Sequence, residues 1–158
     1  MPMTYLIRPL PLAAFKPLFQ MSDDALIALG ARRMTAQTTH SCPCRVSLMD
    51  ADPGDLLLLA NVRHLDAPSS PYRAEGPVLV RETAVQASPT PGELPDQLTR
   101  RLLSVRNYDA NWMMTDADVV EGVDLAAWLR AGFARPQTSV IHIHTARRGC
   151  YLAAAVRA

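Results

Sequence analysis

Two histidines stand one residue apart near the end of the chain, in the segment VIHIHTARRGCY over 140–151. Side chains at positions i and i+2 of a strand point to the same face. His142 and His144 are therefore predicted to share one face, while the isoleucines on either side of His142 face the core. Two imidazoles on one face could bind a metal, serve a neighbouring thiol as a base, or simply form a polar outer face.

A metal site would need further ligands, and the segment CPCR offers Cys42 and Cys44. Two thiolates and two imidazoles form a sensible tetrahedral set for zinc. The metal hypothesis is therefore zinc bound by Cys42, Cys44, His142 and His144. Against it, one residue between paired ligands is tighter than the two to four usual in structural zinc sites.

A nucleophilic site would pair a thiol with an imidazole, because a nearby cation or imidazole favours the reactive thiolate. Cys150 is the best placed cysteine, since it follows two arginines and a glycine that form a turn. The candidate catalytic residues are Cys150, His144 and Cys44. The alternative is that these thiols are buried and only pack, as free cysteines often do.

Arginines near these residues suggest a site for an anion, since a guanidinium can bind carboxylate or phosphate through two hydrogen bonds. The candidate ligand-binding residues are Arg45, Arg147, Arg148 and His142. Arg73 and Arg106 would join them if the fold brought them near. The alternative for the arginines of the turn is ordinary solvation. Asp116 and Asp118 also share a strand face, which we interpret as a polar sheet face.

The totals limit the classes of function. The chain has 158 residues with a net charge of +1, which favours neither nucleic acid nor an anionic membrane as a partner. This length fits a single domain spanning 1–158. Three cysteines are an odd number for a disulfide framework, so we expect a cytoplasmic protein with reduced thiols and no membrane span. The common nucleotide-binding and serine hydrolase motifs are absent from the sequence.

The elements do not alternate strand and helix along the chain. This order predicts an α+β fold with a largely antiparallel or mixed sheet of about seven strands and two or three helices. The clearest helices are 22–30, with Ser22 as N-cap, and 124–135, with an amphipathic stripe. Strands are predicted at 4–10, 44–50, 56–62, 78–82, 102–108, 112–120, 139–146 and 150–156. Segments 44–50 and 56–62 are predicted to pair as a hairpin.

Four stretches, taken in order, carry a resemblance to a known family. They are PCRVSLMDADPGDLLLL, SPYRAEGPVLV, RRLLSVRNYDANWMMTDADVVEG and IHIHTARRGCY. Together they resemble the bacterial family called domain of unknown function 1203, from about Leu6 to the C-terminus.

The resemblance implies a bacterial protein of one domain, without an assigned activity. It further implies that members share Cys44, Arg45, His144, Gly149, Cys150 and Tyr151. This chain departs from the family pattern at Cys42, where an aromatic residue is commoner, and at Thr145, where asparagine is commoner. A site built on Cys42 would therefore be particular to this chain.

The leading hypothesis is a polar cleft between the C-terminal hairpin and the PCR segment that binds, and could act on, a small anionic molecule. No cofactor belongs to this hypothesis, and whether the protein is an enzyme stays open. Two alternatives remain, a structural or protein-interaction domain and the zinc-binding protein described above. A large exposed apolar patch together with buried, fully hydrogen-bonded histidines would favour the interaction domain.

Overall fold

Antiparallel strands dominate the computed structural model, which describes residues 3–158. Met1 and Pro2, the start of the predicted 1–158 domain, lie outside the described residues. The strands are β1 (Tyr5–Arg8), β2 (Arg32–Thr35), β3 (Leu56–Leu65), β4 (Ala74–Arg81), β5 (Leu102–Tyr108), β6 (Met114–Glu121), β7 (Val140–Thr145) and β8 (Tyr151–Arg157). The α-helices are α1 (Lys16–Phe19), α2 (Asp23–Ala28), α3 (Asp96–Thr99) and α4 (Leu125–Phe133). Short 3-10 turns cover Leu12–Ala14 and Gly122–Asp124. The predicted α+β class is confirmed, with two sheets and eight strands in place of one sheet of about seven.

The larger sheet has the strand order β1-β8-β7-β5-β6, and every pairing in it is antiparallel. One face carries the main apolar core, because alternate residues of β5, β7 and β8 pack against the amphipathic helix α4. Ile141 and Ile143 of β7 lie fully buried in this core, as the alternation of the sequence predicts.

The smaller sheet has the order β2-β3-β4, with both pairs antiparallel. Leu58 and Ala60 of β3 and Val78 and Val80 of β4 form its core with Leu26 of α2. The predicted helix around 22–30 is confirmed as α2, whose first turn is capped by Ser22 Oγ accepting from the N–H of Ala25 at 3.2 Å.

The predicted strand over 44–50 is wrong, and so is its hairpin with 56–62. The segment folds as a turn in which the N–H of Leu48 donates to the carbonyl of Cys44 and the N–H of Cys44 donates to that of Met49. Leu48 has φ 55°, a left-handed conformation that an extended strand cannot contain. Val46 and Leu48 are buried as the alternation predicts, but Arg45, which the alternation places on the opposite face, is buried as well.

The C-terminal hairpin follows the prediction closely. β7 pairs with β8, and Gly149 provides a φ of 76° in the connecting turn. A register shift between Ile143 and His144 sets Tyr151 opposite His144. The bulge belongs to the candidate site described below, because it brings Tyr151 beside the two histidines.

The two sheets meet at the end of β3. Leu65, the last residue of β3, packs with Tyr108 of β5 and Val140 of β7, on the face of the larger sheet opposite α4. This packing positions β3 over the polar face of β7.

Among residues 3–158, every helix falls short of the length and apolarity that crossing a bilayer would require.

Candidate functional site

The paired histidines of β7 lie inside the protein and not on an outer face. His142 is 2% exposed and His144 is 1% exposed. Both occupy the face of the larger sheet opposite the isoleucines, as the alternation requires. Other side chains must therefore cover them, and those side chains define the candidate site.

Aromatic rings surround the histidines, and two of them, Tyr108 of β5 and Tyr151 of β8, belong to the same sheet. The Tyr151 ring centroid lies 5.2 Å from that of His142 and 5.6 Å from that of His144, with the rings edge to face. Tyr108 and Trp112 approach His142 at 5.3 and 5.5 Å. The imidazoles consequently have an apolar, largely water-free environment on the side of these rings.

A third histidine, His64 near the end of β3, also packs against His142 and His144. Its ring stacks on Tyr151 at 5.1 Å with 9° between planes, and it meets His144 edge to face at 5.1 Å. One nitrogen from each of His64, His142 and His144 lies within 4.8 Å of the other two. We call this set the three-histidine cluster.

Sequence reasoning missed His64. The predicted strand 56–62 ended before it, whereas β3 continues to Leu65. The available signal was the alternation through Leu58, Ala60 and Val62, which continues to His64. Nothing in the sequence showed that this strand would cross over β7.

Burial keeps the cluster neutral. Desolvation lowers the pKa of His142 to about 3, with the charges of His144 and His64 adding to the effect. Desolvation likewise lowers the pKa of His144 to about 4, partly offset by its hydrogen bond to Gly149. The pKa of His64 is also lowered, chiefly by burial. All three imidazoles are therefore uncharged near pH 7, which is the form that binds metals.

Each imidazole of the cluster keeps a nitrogen without a protein partner. His144 Nδ1 lies 3.0 Å from the carbonyl oxygen of Gly149, and because a carbonyl only accepts, Nδ1 must carry the proton. Its Nε2 is buried and unpartnered. Nδ1 of His64 and Nδ1 of His142 are buried and unpartnered as well. Three such groups close together are unusual, since buried polar atoms are nearly always paired.

A positive charge lies beside the cluster. Arg106 of β5 is the cross-strand partner of His142, so it shares the face of the sheet on which the histidines stand. Its charge contributes to the lowered pKa of each of the three histidines. The Arg106 Nε donates to Ser104 Oγ at 3.3 Å, and no carboxylate of the described chain pairs with it.

Trp112 reaches the cluster from a strained loop. Its φ is 59°, a left-handed conformation that is costly for a bulky side chain. Ser70 Oγ donates to the Trp112 carbonyl at 2.7 Å, and the Trp112 N–H donates to the Asp109 carbonyl at 3.0 Å. Strained conformations of this kind occur preferentially at functional sites.

The cluster has the donors for a transition metal ion. A tetrahedral zinc ion with bonds of about 2.0–2.1 Å holds its ligand atoms roughly 3.4 Å apart, so the three nitrogens would move inward by about 1 Å at most. Imidazole suits zinc, copper, iron and nickel. The hydrogen bond from His144 Nδ1 to Gly149 is the outer support that metal-binding histidines usually have.

The two cysteines of the predicted zinc set lie elsewhere. Cys42 packs with Ala36, Ala51 and Leu57, and Cys44 packs in the core of the smaller sheet. The group of ligand atoms within 4.8 Å contains His142 and His144 but neither cysteine. The structure thus brings together two of the four residues and adds His64.

The predicted thiol–imidazole pair is not joined by a hydrogen bond in residues 3–158. Cys44 Sγ accepts from the N–H groups of Ser47 and Arg81 at 3.4 and 3.3 Å, and it is fully buried. Cys150 is half-buried, and its Sγ lies 3.9 Å from the Arg148 carbonyl. His144 instead donates to Gly149.

The PCR segment does contact the C-terminal hairpin, through Arg45. The Arg45 side chain donates to the Tyr151 carbonyl at 2.7 Å and to the Pro43 carbonyl at 2.6 Å. It is buried, and burial lowers its pKa to about 10. Arg45 therefore braces the backbone of Tyr151 behind the cluster.

The other predicted ligand-binding and acidic residues lie at the surface. Arg147 and Arg148 are exposed in the turn of the hairpin, apart from the buried imidazoles. Asp116 pairs with Arg135 at 2.5 Å, while Asp118 accepts from the N–H of Val119. The two aspartates are thus engaged separately, consistent with a polar sheet face.

Fold and site together define an α+β protein with a neutral three-histidine cluster enclosed between two antiparallel sheets. The chain belongs to the family described as "Protein of unknown function (DUF1203)", whose sequence model matches residues 41–157. The predicted family resemblance is confirmed, and all three histidines of the cluster fall within the matched region. No curated protein and no solved structure matches the chain.

Proposed function

We propose that the protein binds a divalent transition metal ion, with zinc as the first candidate, through His64, His142 and His144. The single observation that carries this proposal is that three neutral imidazoles each present a nitrogen within 4.8 Å of the other two. Each of the three rings also has a buried nitrogen without a protein partner, which supports the proposal further. Buried and fully hydrogen-bonded histidines would favour the rival interaction domain, whereas these histidines keep unpartnered nitrogens.

We further propose that the ion takes a small anion in its remaining coordination position. Three neutral ligands leave the charge of a divalent ion uncompensated, and Arg106 adds a second positive charge beside it. A carboxylate, phosphate or hydroxide would neutralise part of that charge. Zinc sites with three protein ligands and one open position are the form used for catalysis, where water or substrate fills the fourth position. The anionic ligand expected from the sequence would thus be bound by the metal ion and Arg106. Arg147 and Arg148 would not take part.

The setting of the proposed function is bacterial and cytoplasmic. The family resemblance supports the bacterial origin. All three cysteines are free, which suits a reducing compartment. A metal-binding protein there would compete for ions through ligand type and geometry.

Cobalt and zinc binding test the proposal. Tag-free protein stripped with a chelator is expected to bind one equivalent of Co²⁺, with a visible spectrum typical of a low-coordinate site, and Zn²⁺ should displace it. Substituting Ala for His64, His142 or His144 should weaken binding at least tenfold. His40→Asn is the matched control, because His40 is the fourth histidine, is exposed and contacts Arg100 outside the cluster. Asparagine tolerates the φ of 58° at this position.

The same experiment separates the two ligand sets. Cys42→Ser and Cys44→Ser should leave the stoichiometry and the cobalt spectrum unchanged. Loss of binding in the cysteine variants with retention in His64→Ala would overturn the three-histidine site in favour of the cysteine–histidine set. Formate and inorganic phosphate should shift the cobalt spectrum of the wild type, and an unchanged spectrum would contradict the proposed anion.

A further inference from the structure

A second concave surface lies apart from the three-histidine cluster. It is an open cleft of about 440 Å³, lined by residues from 39–52, 87–97 and Arg100. This volume is within the range of small-molecule sites. We call it the Gln97 cleft. Its walls come from the turn that replaces the predicted strand 44–50, the loop after β4 and the start of α3.

Two polar groups of the cleft lining lack protein partners. Gln97 is 1% exposed, and its Nε2 donates to the Cys44 carbonyl at 3.2 Å, which fixes the orientation of the amide. Gln97 Oε1 is consequently an acceptor without a donor, and the buried Ser47 Oγ has no partner either. Buried acceptors of this kind call for a donor from outside the protein chain.

The charge of the cleft favours a cation. Arg100 of the lining pairs with Asp50 at 3.4 Å, and Asp50 also pairs at 2.6 Å with Arg101, which is not a lining residue. Asp52 and Asp96 line the cleft and make no ion pair within residues 3–158. The lining thus carries one arginine and four carboxylates, those of Asp50, Asp52, Glu93 and Asp96, so its net charge is negative.

The lining of the cleft also includes apolar side chains and one residue with a strained backbone conformation. Leu48, Ala87 and Pro95 contribute apolar surface beside the polar groups. Leu48 holds its φ of 55° in the wall, a conformation rare for a residue with a branched side chain. Strain held at a concave surface is a pattern of ligand sites.

We infer that the Gln97 cleft binds a small organic cation, an amine or guanidinium compound with a short apolar skeleton. Its N–H groups donate to Gln97 Oε1 and Ser47 Oγ. Asp52 and Asp96 neutralise its charge, and its apolar part lies against Leu48 and Ala87. The lining of the cleft includes none of the three histidines of the cluster, so the two sites can be tested separately.

Nuclear magnetic resonance titration tests the inference. The probes are butane-1,4-diamine and butylguanidine, with butanoate as an anion of the same skeleton. We expect saturable shifts of the Ser47 and Ala87 amides and of the Gln97 side-chain NH₂ with both cations, and none with butanoate. Asp52→Asn and Asp96→Asn should each weaken cation binding several-fold. Asp118→Asn, an exposed carboxylate on β6 outside the cleft, is the matched control and should leave binding unchanged.

Three results would overturn the inference. They are the absence of saturable shifts with either cation, equal shifts with butanoate, and an equal loss of affinity in Asp118→Asn. Spectra of the variants recorded without ligand check that the fold is intact, and the two single substitutions provide independent tests. Shifts centred on His64 and Tyr151 would place the cation at the other site and would also contradict it.

Discussion

The proton on His144 Nδ1 is donated to the carbonyl oxygen of Gly149 across 3.0 Å, and this bond leaves His144 Nε2 as a buried lone pair without a partner. The Gly149 carbonyl therefore fixes the tautomer of His144, so that Nε2 is free to bind a ligand. Because His64 and His142 also remain neutral, the cluster is in its metal-binding form at neutral pH.

Metal binding at pH 6 should release no proton from His142 or His144. An ordinary histidine site is partly protonated at that pH, since the free side chain has a pKa of about 6.5. Here the pKa of His142 is about 3 and that of His144 about 4, so a proton need not leave before the ion binds. Calorimetric titration with Zn²⁺ in buffers of different ionisation enthalpy measures the number released. A release of two or more protons would show that the imidazoles are charged in the metal-free protein.

The stability of the metal-free protein should fall as the pH drops from about 6.5 towards 4. In that window the unfolded chain binds protons on His142 and His144 while the folded chain does not, so the free energy of unfolding rises with pH. Two such histidines give a limiting slope of about 2–3 kcal/mol per pH unit.

Urea unfolding at a series of pH values measures this slope. His142→Phe replaces the imidazole with an uncharged ring among Tyr108, Trp112 and Tyr151. The unfolded chain then binds one proton fewer, so the slope should decrease by about 1.4 kcal/mol per pH unit. His40→Asn, which removes an exposed histidine, should leave most of the slope in place. An unchanged slope in His142→Phe would mean that His142 titrates normally in the folded state.

Alkylation should distinguish Cys150 from the other two thiols. Cys42 and Cys44 are buried, whereas Cys150 is half-buried in the turn of the hairpin. Iodoacetamide should therefore modify Cys150 first in the folded protein, and Cys42 and Cys44 only through opening of the structure. Peptide mass spectrometry over time measures the three rates. In denaturant the rates should become similar, and rapid modification of Cys44 in the folded protein would contradict its burial.

Gly149→Ala should destabilise the protein by about 1–2 kcal/mol. The position needs a φ of 76°, which costs about that much for a residue with a Cβ. Nothing lies within 4 Å of the added Cβ, so the cost comes from the backbone alone. Gly76→Ala is the matched control, since it has equal space and no positive φ. Equal stability of the two variants, measured by denaturant unfolding, would show that the turn relaxes at no cost.

The sequence predicted elements whose signals are local. The capped helix at Ser22, the amphipathic helix α4 and the strand pair around Gly149 each follow from residues within one segment. The strand over 44–50 failed because the alternation reports only that its apolar side chains are buried. It does not report whether the backbone between them is extended, and the φ of Leu48 breaks the strand.

The candidate site was only half predictable. The shared face of His142 and His144 follows from the period of a strand. His64 could not be paired with them, because its contact depends on one sheet crossing the other, which no local pattern specifies. The Gln97 cleft was hidden for the same reason, since Gln97 meets the Cys44 carbonyl across a large sequence separation.

His64 belongs to the smaller sheet, and the other two histidines belong to the larger one. An ion held by all three would act as a cross-link between the sheets, closing a long loop of chain that the unfolded state leaves open. The free energy of binding would then add to the free energy needed to separate the two sheets. Amide exchange at the end of β3 would slow together with that of β7, so ion occupancy would set whether the two layers open singly or as one cooperative unit.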